Sequence, residues 1–141
     1  MSKTYMITGA SSGIGQALAT QLLAQEGHLL LLARRKQKIL DWIDALRPAA
    51  IKATYEVHTV DVSDVQQVTA FFDDLEGEGR PLHALVNNAG FAAGVDGVED
   101  AKYEDWLAMM QTNFMGAFAC SQRAIALMPH HAGARIINVG S

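Results

Sequence analysis

The chain has 141 residues, half of them apolar and 18% charged, which suits one globular domain and excludes a disordered chain. Its formal net charge is −4 with no block of like charge, so the basic footprint of a nucleic-acid binder is missing. No apolar run approaches the ~20 residues of a membrane span, no secretory signal opens the chain, and a lone Cys120 excludes an internal disulfide framework; a soluble cytoplasmic protein is expected.

In chain order, strand and helix patterns alternate. Tyr5 to Thr8 is a short apolar run that meets a glycine loop and predicts a buried strand. Ile14, Ala17, Leu18 and Leu22 then recur at helical spacing, with Gly27 as a stop signal. His28 to Ala33 predicts a second strand, and Ile39, Leu40, Ile43 and Leu46 form a helical stripe that ends before Pro48. Tyr55 to Asp61 predicts a third strand. Ser63 followed by Gln66 reads as a capping box for a helix through Val65, Val68, Phe71, Phe72 and Leu75. Leu82 to Asn87 predicts a fourth strand, a long helical stretch is expected from about Tyr103 to Met128, and Ala134 to Val139 predicts a fifth strand. This alternation implies an α/β doubly wound parallel sheet, Rossmann-like, with about five strands and helices on both faces, in one domain over residues 1–141.

Gly9, Gly13 and Gly15 lie between the first strand and the first helix. Glycine permits a tight turn and close approach of backbone to a phosphate, and the following helix offers unpaired N–H groups to an anion. A mononucleotide P-loop would end in Gly-Lys-Ser/Thr, whereas Ile14-Gly15-Gln16 stands here. A purely structural turn is the other reading, and the loop alone does not decide between that and a dinucleotide site.

Thr8-Gly9 with Gly13-Ile14-Gly15, Asp61-Val62, Asn87-Asn88-Ala89-Gly90, Asn113 and the terminal Ile136 to Ser141 occur in one order with one set of spacings. Together they resemble the amino-terminal half of a short-chain dehydrogenase/reductase. The resemblance implies a nicotinamide dinucleotide wrapped at its pyrophosphate by Gly9, Ala10, Ser11, Ser12, Gly13, Ile14 and Gly15. It implies adenine held by Asp61 and the backbone of Val62, a path to the nicotinamide ribose along Asn88, Ala89 and Gly90, and a central strand braced by Asn87. It also implies two catalytic positions, Asn113 in the long helix, anchoring a water, and Ser141, hydrogen-bonding the substrate oxygen.

An NAD-preferring site places an acid at the end of the second strand to bind the ribose 2′-OH. Leu31-Leu32-Ala33-Arg34-Arg35 has none. Arginine forks bind a phosphate dianion bidentately, so Arg34 and Arg35 point to NADP(H), with Ser11 or Ser12 adding a hydroxyl. The family's general acid/base is a tyrosine with a lysine four residues later. Gly9, Thr59 and Leu107 stand four residues after Tyr5, Tyr55 and Tyr103, so that pair is not in these 141 residues. The resemblance puts it about a dozen residues beyond Ser141.

Ile136 and Ile137 suit a strand in the middle of a sheet, so the sequence reads as part of a longer enzyme. The expected reaction interconverts a small-molecule carbonyl and alcohol, in a homo-oligomer when complete. The alternatives are a non-catalytic dinucleotide-binding module and a fragment without function of its own. His28, His58, His83, His130 and His131 lack ligand spacing, so no metal is expected.

Overall fold

The computed structural model describes residues 2–94, 96–130 and 133–140. Five parallel strands form one sheet: β1 (Thr4–Thr8), β2 (His28–Ala33), β3 (Thr54–Thr59), β4 (Ala84–Asn87) and β5 (Arg135–Asn138), in the order β3-β2-β1-β4-β5. The helices α1 (Gly13–Leu23), α2 (Lys36–Asp44), α3 (Val65–Glu78), α4 (Tyr103–Met109) and α5 (Ala117–Leu127) connect or flank them. β2 shows why the sheet is buried on both faces. Leu29 to Leu32 are each at most 1% exposed, and successive side chains point to opposite faces, so a continuous leucine run suits a sheet covered on both sides.

Two cores result. Met6, Leu30 and Leu32 pack with Val68, Phe72 and Ala124 beneath α3 and α5, while Ile7, Leu29 and Leu31 pack with Ala19, Leu23 and Ile39 beneath α1 and α2. Strand order advances from β1 through β2 to β3, then returns to the other side of β1 at β4. The switch point of the sheet therefore lies between the carboxyl ends of β1 and β4, where a crevice opens in this architecture.

One expectation needs correction. The cap of α3 is Asp64, not Ser63: its carboxylate accepts the Gln66 and Gln67 amides at 3.0 and 3.4 Å, while the Ser63 hydroxyl is drawn to Asp61. The expected helical stretch is continuous over α4 and α5 and contains a π-helical segment, Met110–Gly116, between them. Its wider turns bring Gly116 against Val62, where an added Cβ would lie 2.7 Å from Val62 Cγ2. β5 pairs only with β4 among the described residues, and Ile137 is 48% exposed, the open apolar edge expected of this strand within these 141 residues.

Candidate cofactor site

β1 runs without a break into the glycine loop, whose backbone leaves the ordinary range at two positions. Gly9 and Gly13 have φ of +64° and +57°, values that carry a steric penalty for residues with a Cβ. Gly9 and Gly15 are also crowded: an added Cβ would lie 2.8 Å from Ala89 Cα at Gly9, and 2.4 Å from Asn88 Nδ2 at Gly15. The loop is thus pressed against the end of β4. The N-terminus of α1 faces the loop with Ser12 as its cap residue, and no side chain satisfies the first amides. Uncapped N–H groups and the helix dipole make this end a ready anion site.

The β1–β4 contact is held by Thr8, which sequence reasoning did not single out as a site residue. Its hydroxyl, 2% exposed as a residue, accepts the amides of Asn88 at 3.0 Å and Ala89 at 2.9 Å. In return the Asn88 carboxamide donates to the Thr8 and Gly9 carbonyls at 3.2 and 3.0 Å. The buried Asn87 bridges onward, donating to Ser121 Oγ on α5 at 2.9 Å and to Asn138 Oδ1 on β5 at 3.0 Å.

These elements enclose a cleft of about 380 Å³ at the carboxyl ends of the strands, within the range of small-molecule sites. The structure brings together on its walls Gly9, Ser11, Ser12, Gly13, Ile14, Arg34, Arg35, Asp61, Val62, Asn88, Ala89 and Gly90. Ala10 and Gly15 stand behind them. Ala10 is fully buried, its amide donating to Leu32 O and its carbonyl accepting Trp42 Nε1, so it secures the loop to β2 and α2. Asn113 lies in the π segment and is bonded twice to Phe91, accepting its amide at 3.0 Å and donating to its carbonyl at 2.8 Å. Ser141 lies outside the described residues, as does His131.

Lys38, Val60, Phe91 and Thr112 complete the lining. Lys38, in the first turn of α2, follows the Arg34 and Arg35 that precede the helix, and sequence reasoning did not single it out. None of Arg34, Arg35 and Lys38 has an ion-pair partner among the described residues, whereas Arg80 and Arg123 each bridge two carboxylates. In a chain of net charge −4, this wall is a local excess of positive charge beside an uncapped α2 N-terminus. Cations there oppose the helix dipole, and an anion in the cleft relieves both.

Cys120 is buried against α3, and burial pushes its thiol up to about 12, so it is an inert core residue. No group of histidine, cysteine and carboxylate side chains able to hold a metal occurs among the described residues. No helix among them is long and apolar enough to cross a membrane.

Residues 3–141 match the sequence model of the family described as short chain dehydrogenase. The chain is 33% identical over 143 residues to an NADP-dependent 3-hydroxy acid dehydrogenase of Schizosaccharomyces pombe, covering 99% of this chain and 54% of that protein. Among solved structures it is similar to a variant of ElxO with NADPH bound, with TM-score 0.84 and 27% identity over 100% of this chain and 56% of that one. An NAD+-bound xylitol dehydrogenase is similar too, with TM-score 0.84 and 25% identity over 99% of this chain and 53% of that one. The chain therefore spans about half the length of the curated relatives it matches.

Proposed function

Because the chain belongs to the short-chain dehydrogenase/reductase family, we infer that its cleft binds NADP(H) and forms the cofactor-binding part of an oxidoreductase acting on a small carbonyl or alcohol. The observation that carries the cofactor choice is the wall made by Arg34, Arg35 and Lys38, with no acid at the end of β2. A ribose 2′-OH offers a hydrogen that an acid would accept, whereas a 2′-phosphate brings negative charge that these cations neutralise.

The remaining residues divide the cofactor between them in this reading. Gly9 to Gly15 and the α1 amides take the pyrophosphate, with Ala10 and Gly15 shaping the loop from behind. Asp61 and Val62 take the adenine, and Asn88 to Gly90 line the way to the nicotinamide ribose. Bound there, the nicotinamide supplies or accepts a hydride. Asn113 holds the Phe91 backbone at that end and has its catalytic place as a water anchor, with Ser141 as the partner of the substrate oxygen. The exposed Trp106, Leu107, Phe114 and Phe118 along α4, the π segment and α5 support assembly into a homo-oligomer.

Arg34→Asp tests the cofactor assignment. Losing a charge-assisted bond to the 2′-phosphate costs about 1.5–3 kcal/mol, so NADPH affinity should fall ~10–100-fold while NADH affinity stays within about twofold. Equal weakening of both cofactors would overturn the NADP(H) reading. The second reading is a dinucleotide-binding module without catalysis. NADPH binding without turnover across a carbonyl panel by the full-length protein would select it.

A further inference from the structure

Asp61 lines the cleft just past the end of β3, yet its carboxylate is engaged on one side only. Oδ1 accepts the Ser63 amide at 3.0 Å and the Ser63 hydroxyl at 2.6 Å, while Oδ2 accepts no hydrogen bond from any described residue. The backbone of the same turn is pinned from two elements. Gln67 on α3 accepts the Asp61 amide through Oε1 at 2.9 Å, and Gln111 of the π segment donates through Nε2 to the Ser63 carbonyl at 3.0 Å. Ser63 itself is not among the residues that line the cofactor cleft.

A carboxylate is an acceptor only, and one oxygen of this one is already saturated by two donors. Whatever ligand edge meets the free oxygen must bring a hydrogen-bond donor, and the donor on a purine base is an N–H. Adenine offers an exocyclic amine, whereas hypoxanthine places a carbonyl oxygen at the same ring position and sets acceptor against acceptor. A site built to accept a ligand N–H rejects an analogue that lacks it more strongly than one that merely fits less well, and Asp61, half-buried at the cleft wall, can do so once the ligand covers it.

We propose that Ser63 is a positioning residue for base selection: it fixes the Asp61 carboxylate through Oδ1, so that Oδ2 is presented to the cofactor's base and favours adenine over hypoxanthine. This rests on the dinucleotide reading above and adds to it a residue that does not touch the ligand. The hydroxyl and the amide of Ser63 share the work. Removing the hydroxyl therefore loosens the carboxylate without freeing it.

The test is fluorescence titration of the parent chain, Ser63→Ala and Ser63→Thr with NADPH and with the reduced nicotinamide hypoxanthine dinucleotide phosphate, alongside thermal melts. The parent should prefer NADPH. Ser63→Ala should narrow that preference about 3–10-fold, the value of one hydrogen bond, through weaker NADPH binding alone. Ser63→Thr, which retains a hydroxyl, should keep the parent's preference. If Ser63→Ala weakens both cofactors equally, its role is merely structural and the proposal fails. An unchanged preference in Ser63→Ala also overturns it. Failure of the parent to bind NADPH at all would overturn the dinucleotide reading, a result distinguishable from either of those.

Discussion

Thr8→Val is the substitution that most sharply probes how the cleft is held open. Valine has nearly the shape of threonine but no hydroxyl, so the change deletes a group that accepts two amides and donates weakly to the Val86 carbonyl at 3.4 Å. Those amides are Asn88 at 3.0 Å and Ala89 at 2.9 Å, in the loop that closes against the glycine turn. An orphaned buried donor costs about 1–3 kcal/mol, and both amides are only partly buried, so the lower half of that range applies to each. The expected loss is about 2–4 kcal/mol, a large share of the ~5–15 kcal/mol that holds a typical domain together. Thr8→Ser keeps the hydroxyl and loses a methyl, which costs about 1 kcal/mol. Urea unfolding followed by circular dichroism should give midpoints in the order parent, serine, valine, with unchanged slope. A valine variant as stable as the serine variant would refute the reasoning, since packing and not the shared acceptor would then join β1 to β4.

Two further outcomes follow from the other end of the sheet and from the core. Burial works against the Glu56 carboxylate, but hydrogen bonds from Arg80 and His28, with the Arg80 charge, hold it down to about 2 from an ordinary 4.5. A depressed folded-state value means the stabilisation is complete above about pH 4.5 and is lost as pH falls toward 2, so Glu56→Gln should flatten the acid limb of a melting-temperature profile over that window. The pair is about a third exposed, so the loss at pH 7 should be no more than about 1 kcal/mol, and an unchanged acid limb would contradict the assignment. Cys120, fully buried, should resist a thiol reagent in the native chain and react at once in urea; rapid native labelling would mean that α5 does not pack as described.

Much of the fold was legible because its signals are local. The leucines of β2 declare a strand buried on both faces, and the loop from Gly9 to Gly15 sits where strand meets helix. The place of Arg34 and Arg35 on the cleft wall was legible for the same reason, since the end of β2 fixes what they face. Thr8 was not, because its partners lie about 80 residues away and become neighbours only when β4 returns beside β1. The π segment was invisible as well: its apolar residues repeat much as an α-helix would, and its contacts with Val62 and Phe91 come from elements distant in sequence. At the start of α3 two good capping residues stand side by side. Ser63 loses to Asp64 because Asp61 claims its hydroxyl, a choice made by tertiary contacts beyond the reach of the capping pattern.

The central claim is that this cleft takes a dinucleotide carrying a 2′-phosphate. Parallel titrations of the parent chain with NADPH and NADH at one ionic strength test it most directly. Two or more charge-assisted contacts to the 2′-phosphate should make NADPH bind at least ~10-fold more tightly, with a preference that shrinks as salt is raised. Equal affinity for the two, or tighter binding of NADH, would contradict the account.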